Sequence, residues 1–394
     1  MNIIFIGNLS GCGGLSSSNR AYAIGLHDAG HYVRIIDIDG PEIKAILNIE
    51  ETQKLSLMKE RRIDKDFFVI HSYNPNLFQQ LIQKEAKLNV FLTSTYTHAY
   101  PAFWARSLQN ADQVWVNDIF NKSAVIGCGI DSNKLRVIPR GVDKKTFNED
   151  GPKANIKNFE DDHFLFLSVL PWERKKGWDI LIPAFIIRFK DEPRVTLLLK
   201  TWKNPDLQIG IKEIEDQIRN IKYQFKNQFG SDPQCHIKVI QHNLGTDQMA
   251  ALYRKAHCYV APIRGGEHYS SIMESMSCGT PVITTSNDKL DFLNNDNSIR
   301  FDVYGDSLVS LDPDENILRP WFAGHRWIDP NPDSLAKAMG LVYSQKDKLE
   351  PIRLKAPESI EHINTSIGFM IKYLNGEKDN TPFKKDTLND SVSL

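Results

Sequence analysis

Short apolar runs alternate with longer segments of helical periodicity along most of this chain. Asn2 to Ile6 is the first run, followed by the glycine-rich turn Gly7-Asn-Leu-Ser-Gly-Cys-Gly-Gly14. A helix is predicted from Ser16 to Ala29 and a second strand from Tyr32 to Ile38. Further buried strands are predicted at Phe67 to Ile70, Val90 to Leu92, Gln113 to Val116 and Leu135 to Ile138. Strand and helix in alternation argue for a parallel sheet covered by helices on both faces. The second half repeats the logic, with strands at Phe164 to Val169, Val195 to Leu199, Ile237 to Ile240, Cys258 to Ala261 and Val282 to Thr284. Between the halves, Asn148 to Asp162 (NEDGPKANIKNFEDD) is polar and lacks apolar periodicity, the signature of a boundary.

The expected organisation is therefore α/β, with two Rossmann-like, doubly wound domains facing a cleft, at residues 1–150 and 160–352. Residues 353–374 are expected to form a C-terminal helix packing back toward the first domain. Residues 375–394, polar and charged, are expected to be disordered. Ile211 to Phe229 reads as an amphipathic helix in a solvent-facing insertion.

Composition narrows the function classes. A chain of 394 residues exceeds one typical core, which favours two domains. A formal net charge of -1 gives no global case for nucleic acid or an anionic membrane. No apolar run reaches the roughly 18 residues of a membrane-spanning helix. The opening Met1-Asn-Ile-Ile-Phe-Ile-Gly has no basic leader or cleavage site and does not read as a signal peptide. Five scattered cysteines without a CxxC pair point to free thiols in a reducing cytoplasm. Lys54-Leu-Ser-Leu-Met-Lys-Glu-Arg-Arg62 is a basic, partly apolar segment. Peripheral contact with the inner face of a membrane is one reading of it; a solvated helix face is the simpler one.

Three segments carry candidate chemistry. Gly11, Gly13 and Gly14 follow the first strand, where open α/β sheets bind ligands, and imply close backbone approach to a polar ligand. The spacing is not GxGxxG, so Asp37 and Asp39 at the end of the second strand support a nicotinamide reading only weakly. A DxD metal site at the same two acids is a poor fit to their place in the fold, and Asp312-Pro-Asp314 reads as a turn. In Leu170-Pro-Trp-Glu-Arg-Lys-Lys-Gly-Trp-Asp-Ile-Leu181, three cations precede a helix. Cations there oppose the helix dipole unless an anion lies between them, and a diphosphate meets that need in place of a metal. Finally, Pro262 to Ile283 (PIRGGEHYSSIMESMSCGTPVI) sets Glu267 and Glu274 around a loop and helix closed by Gly279 and Pro281. A carboxylate at such a helix can hold a ribose while backbone N–H groups face phosphate.

These segments resemble family 4 of the retaining glycosyltransferases, which have the GT-B fold. The resemblance is carried by Val137 to Phe147, Lys176 to Leu181, Leu252 to Pro262 and Glu274 to Ile283, in that order. It implies transfer of a sugar from a nucleotide-diphospho sugar, with retention, to a glycan, lipid-linked or protein-linked acceptor. No metal or other cofactor is implied. Glu274 matches the second glutamate of the family's EX7E pattern, on the nucleotide ribose. Lys176, with Lys175 or Arg174, matches the basic pair on the diphosphate. The strand end and loop at Gln241 to Gly245, with His242 and Asn243, would approach the base. Ser270 and Ser271 would offer backbone N–H groups to phosphate, with Gly13 and Gly14 facing them. His98, after a buried strand, would contact the transferring sugar. Lys176 and Glu267 complete the expected catalytic set.

The pattern departs from the family at two points, one of them the replacement of the sugar-facing Gly-Phe-Gly segment of many members by His268, Tyr269 and Ser270. EX7E spacing falls on Gly266, and the nearest acid is Glu267, one residue late. A catalytically weak relative that binds nucleotide sugar or glycan as a scaffold is the alternative that this departure raises.

Overall fold

The computed structural model describes residues 1–39, 44–157, 159–202, 211–265, 269–286, 292–305, 308–345 and 349–378. The first sheet holds β1 (Asn2–Gly7), β2 (Tyr32–Asp37), β3 (Phe67–Ser72), β4 (Asn89–Leu92), β5 (Gln113–Val116) and β6 (Leu135–Val137). All its pairings are parallel, in the order β2-β1-β3-β4-β5-β6. The second sheet holds β7 (Phe164–Pro171), β8 (Val195–Trp202), β9 (His236–Ile240), β10 (Cys258–Ala261), β11 (Val282–Thr285) and β12 (Ile299–Phe301). It is also parallel, in the order β12-β11-β10-β7-β8-β9.

Both orders reverse direction once. In the first sheet the reversal lies between β1 and β3, and in the second between β7 and β10. Loops leave such a reversal in opposite directions and open a crevice at the carboxyl ends of the strands, where α/β sheets take their ligands. The glycine turn follows β1 and the basic turn follows β7, so both candidate motifs sit at reversals.

The helix Ile211–Phe229 is no insertion. It is the crossover between β8 and β9, and it buries Ile214, Ile218 and Phe225 in the core of the second domain. The helix Ile363–Leu374 packs on the helix Gly14–Asp28, and its Ile367, Met370 and Tyr373 join the first domain's core. Most of the tail expected to be disordered, residues 379–394, lies outside the described residues. Lys54, in the basic segment, pairs with Asp28 at 2.8 Å and Glu50 at 2.7 Å, while Met58 is buried. Among the described residues no helix is long and apolar enough to cross a membrane.

One feature had no periodic signal. Between β12 and the helix Pro332–Ser344 the chain leaves the second domain as a strap, carrying the short antiparallel pair β13 (Val309–Ser310) and β14 (Arg326–Trp327). Leu311, Phe322 and Trp327 of this strap are buried in the first domain's hydrophobic core. Asp312 is not a turn residue. Its side chain caps the helix Pro313–Leu318 by accepting from the Glu315 N–H at 2.9 Å.

Gly177 fixes the approach of the basic turn to the strand beside it. Its φ is +74°, and a Cβ there would lie 1.8 Å from the Pro262 carbonyl oxygen. Gly177→Ala is expected to cost about 2 to 4 kcal/mol in a urea melt, combining left-handed strain with the backbone clash.

Candidate functional site

The two sheets face each other across a cleft of about 530 Å³, lined from both domains. Its two ends are closed by contacts between the domains. At one end the Asn243 amide donates to the Lys44 carbonyl at 2.9 Å. At the other, the strap lies against residues 96 to 104, with Phe322 packed on Tyr96 at 4.6 Å and on Trp104 at 5.1 Å.

The glycine turn forms one wall. Gly13 caps the first helix in extended conformation, and Gly11 to Gly14 line the cleft. Asp37 and Asp39 hold this turn in place. Asp37 accepts from the Leu9 N–H at 3.1 Å and from the Ser10 hydroxyl. Asp39 accepts from the Gly11 N–H at 2.8 Å and the Asn8 amide at 2.6 Å. Both acids thus have a structural task in the loop itself, which explains their place without a nicotinamide. Buried Arg20 supports the turn from below, donating to the Leu9 and Gly11 carbonyls at 2.7 and 2.8 Å.

Opposite stands the basic turn, and its three cations part ways. Arg174 is turned out of the cleft, paired with Asp179 at 3.2 Å and Asp312 at 3.9 Å. Lys175 is buried, 2.9 Å from Glu173 and 4.6 Å above the Tyr96 ring. Lys176, half-buried, lines the cleft. Burial alone would raise the Glu173 pKa, but Lys175, Arg319 and Lys176 override it and hold the carboxyl at about 2.

A further cation was not singled out from the sequence. Lys200, at the end of β8, lines the cleft and is 4% exposed. Among the described residues its ammonium makes a long contact to the Thr201 carbonyl, 3.4 Å, and lies 5.3 Å above the Trp202 ring. Among the described residues no carboxylate pairs with it. Burial lowers its pKa, and Cys12 on the glycine turn pulls slightly the other way. A signal existed in the sequence: one cation within the otherwise uncharged strand Val195-Thr-Leu-Leu-Leu-Lys-Thr-Trp202.

Glu274 lies on the helix Ser270–Ser277 with an edge open to the cleft. The protein around it withdraws the carboxyl from bulk water and raises its pKa to about 7, although the Tyr253 hydroxyl, donating at 2.9 Å, opposes this. That helix ends as its residue types predict. Gly279 has φ +70°, its N–H donates to the Met276 carbonyl, and the Thr280 N–H donates to Ser275. At the other end Tyr269 is left-handed, φ 50°, and Ser270 and Ser271 line the cleft with no side chain capping the first turn.

The remaining expectations separate. Asn243 lines the cleft, whereas His242 is exposed and off its wall. His98 is also off the wall: its backbone N–H donates to the Arg326 carbonyl and its ring accepts from the Arg326 N–H, each at 3.0 Å. It pins the strap to the first domain. Glu267 lies outside the described residues. Among the described residues, the group Glu160, Asp162 and His163 has metal-ligand spacing, and none of the three lines the cleft.

Two facing Rossmann-like domains with a polar, cation-bearing cleft define the GT-B fold. Residues 161–303, most of the second domain, match the sequence model of the family Glycosyl transferases group 1. No curated protein matches the sequence. Among solved structures, HepE of Anabaena, in complex with UDP and glucose, superposes with a TM-score of 0.66 at 13% identity, covering 95% of this chain and 100% of that one. Sucrose-phosphate synthase of Thermosynechococcus elongatus gives 0.65 at 16% identity, covering 95% and 99%. A glycosyltransferase of Rickettsia africae gives 0.61 at 15% identity, covering 98% and 99%.

Proposed function

We propose that this protein is a retaining, family 4 type glycosyltransferase that moves a hexosyl group from a nucleotide-diphospho sugar to a glycan, lipid-linked or protein-linked acceptor. The observation that carries the reading is the cleft itself. It joins several cations, Lys176 and Lys200 among them, with a helix N-terminus and a half-buried carboxyl at the reversal points of two facing sheets. The nucleotide ribose hydrogen-bonds Glu274, and the base lies toward Asn243. The diphosphate takes N–H groups from Ser270 and Ser271 and the ammonium groups of Lys176 and Lys200, with Gly13 and Gly14 closing over it. The HepE complex with UDP and glucose makes a UDP-sugar the first donor to try.

In the reaction, the bond from the anomeric carbon to the diphosphate breaks and its electron pair passes to the phosphate oxygen. Lys176 and Lys200 stabilise that charge, the work a metal does elsewhere, so none is required. The acceptor hydroxyl forms the new bond on the same face, and its proton passes to the departing phosphate. All five cysteines are free, consistent with a cytoplasmic enzyme, and an anionic lipid surface is a peripheral contact to test beside it.

The test is release of free nucleotide from UDP-, GDP- and ADP-sugars, with the anomer of the product read by NMR. Turnover of one donor with retention is expected. Tight donor binding without turnover would favour the scaffold reading instead.

A further inference from the structure

The end of the cleft under the strap has a chemistry of its own. Trp104 of the first domain and Trp321 of the strap lie with ring centroids 6.0 Å apart, both on the cleft wall. Trp104 is 6% exposed, and the indole N–H groups of both residues are buried without a hydrogen-bond partner. A buried donor left unpaired costs about 1 to 3 kcal/mol, and a small rotation of either ring toward the cleft would let the oxygens of a ligand supply the missing acceptors. Phe322, fully buried, backs the wall, and Asn74 and Ser94 line the cleft beside it.

Most of the charges at this end are paired, although Lys176 also acts on Glu173. Arg319 of the strap contacts Glu315 at 2.6 Å and Glu173 at 3.4 Å, and Glu173 in turn holds Lys175 at 2.9 Å. The Tyr96 hydroxyl donates to Glu315. Two carboxylates thus stand against two cations, all buried or half-buried. An anionic acceptor, such as a phosphate-linked lipid, would find each of these cations already engaged. Aromatic faces beside unpaired donors fit a neutral sugar ring, whose C–H edges carry partial positive charge and whose oxygens accept.

We infer that the Trp104 and Trp321 end of the cleft is a subsite for an uncharged saccharide, the acceptor of the transfer. This deepens, and rests on, the glycosyltransferase reading. The strap then acts in specificity: it is the second domain's contribution to an acceptor site otherwise built on the first.

The experiment reads saccharide binding and donor binding separately. Full-length protein is titrated with maltose, cellobiose, lactose and sucrose by saturation-transfer NMR, and with UDP by calorimetry. Wild type, Trp321→Ala and Trp321→Phe are compared, together with an acceptor arm using a polyprenyl phosphate. At least one disaccharide is expected to bind wild type, weakened about 10-fold in Trp321→Ala and less in Trp321→Phe, which keeps the face but loses the N–H. With a working donor, the acceptor KM should rise in the same order while the donor KM does not. Disaccharide binding to none of the panel, equal binding to Trp321→Ala, or preferred use of the polyprenyl phosphate would each overturn the inference. A protein that binds disaccharide at this wall but neither binds nor consumes any nucleotide sugar would instead sink the transferase reading.

Discussion

Lys200→Met is expected to make the unliganded protein more stable and the enzyme much worse. The ammonium is 4% exposed and paired with no carboxylate among the described residues, so the empty fold bears its desolvation. Its pKa is lowered by that burial. A folded value below the unfolded one means the unfolded chain binds more protons, so this group's penalty is full while the lysine is charged and is relieved as pH rises through its folded pKa. Methionine keeps the stem and removes the charge, and the melting temperature at neutral pH should rise. The same change removes one charge-assisted hydrogen bond to a donor diphosphate, about 1.5 to 3 kcal/mol, or roughly 10- to 100-fold in UDP affinity. Charge grows on the leaving phosphate in the transition state, so kcat should fall beyond the loss of binding. Thermal melts, calorimetry and steady-state rates check the three parts. A variant less stable than wild type, with donor binding intact, would mean Lys200 is a structural lysine.

The second large effect belongs to Glu274. Its pKa of about 7 lies above the usual carboxyl value of 4.5 because burial penalises the charge. Only the carboxylate accepts from both ribose hydroxyls. Nucleotide affinity should therefore be full above pH 7 and decline as the pH falls through it. Stability moves the opposite way: the folded state holds the proton more tightly, so this group's contribution is full below the unfolded pKa and lost as pH rises through about 7. Glu274→Gln should flatten both profiles, weaken UDP binding by roughly 10- to 100-fold, and match or exceed wild-type stability at pH 8. Calorimetry between pH 5.5 and 8.5 decides it. An unchanged slope in the variant would assign the titration to another group.

Much of the architecture could be read from residue types because parallel sheets write themselves as apolar runs. Every strand named from the sequence has its counterpart, and Gly279 and Pro281 marked a helix end that has the expected left-handed turn. The strap escaped because its order comes from burial of Phe322 and Trp327 in another domain, which leaves no local period. Site residues divided on the same principle. Glu274, Lys176, Gly13, Gly14, Ser270, Ser271 and Asn243 line the cleft because their motifs sit at strand ends, where the fold opens. Lys175 also lines the cleft but is committed to Glu173, and Arg174 is held outside by Asp179 and Asp312, so the task of each cation in the basic turn depends on where these acids lie in space. The sequence placed Glu173 and Asp179 nearby and could not assign their partners. His98 followed a strand as expected and then met the strap that no pattern announced.

The central claim is that this cleft holds a nucleoside diphosphate between Glu274 and the pair Lys176 and Lys200. Calorimetric titration of UDP into the full-length protein, into Glu274→Gln and into the double variant Lys176→Met/Lys200→Met tests it most directly. The account predicts one site on wild type, weakened at least about 10-fold by the glutamine and close to abolished by the double substitution. Binding by all three with equal affinity, or by none together with no response to GDP or ADP, would contradict it.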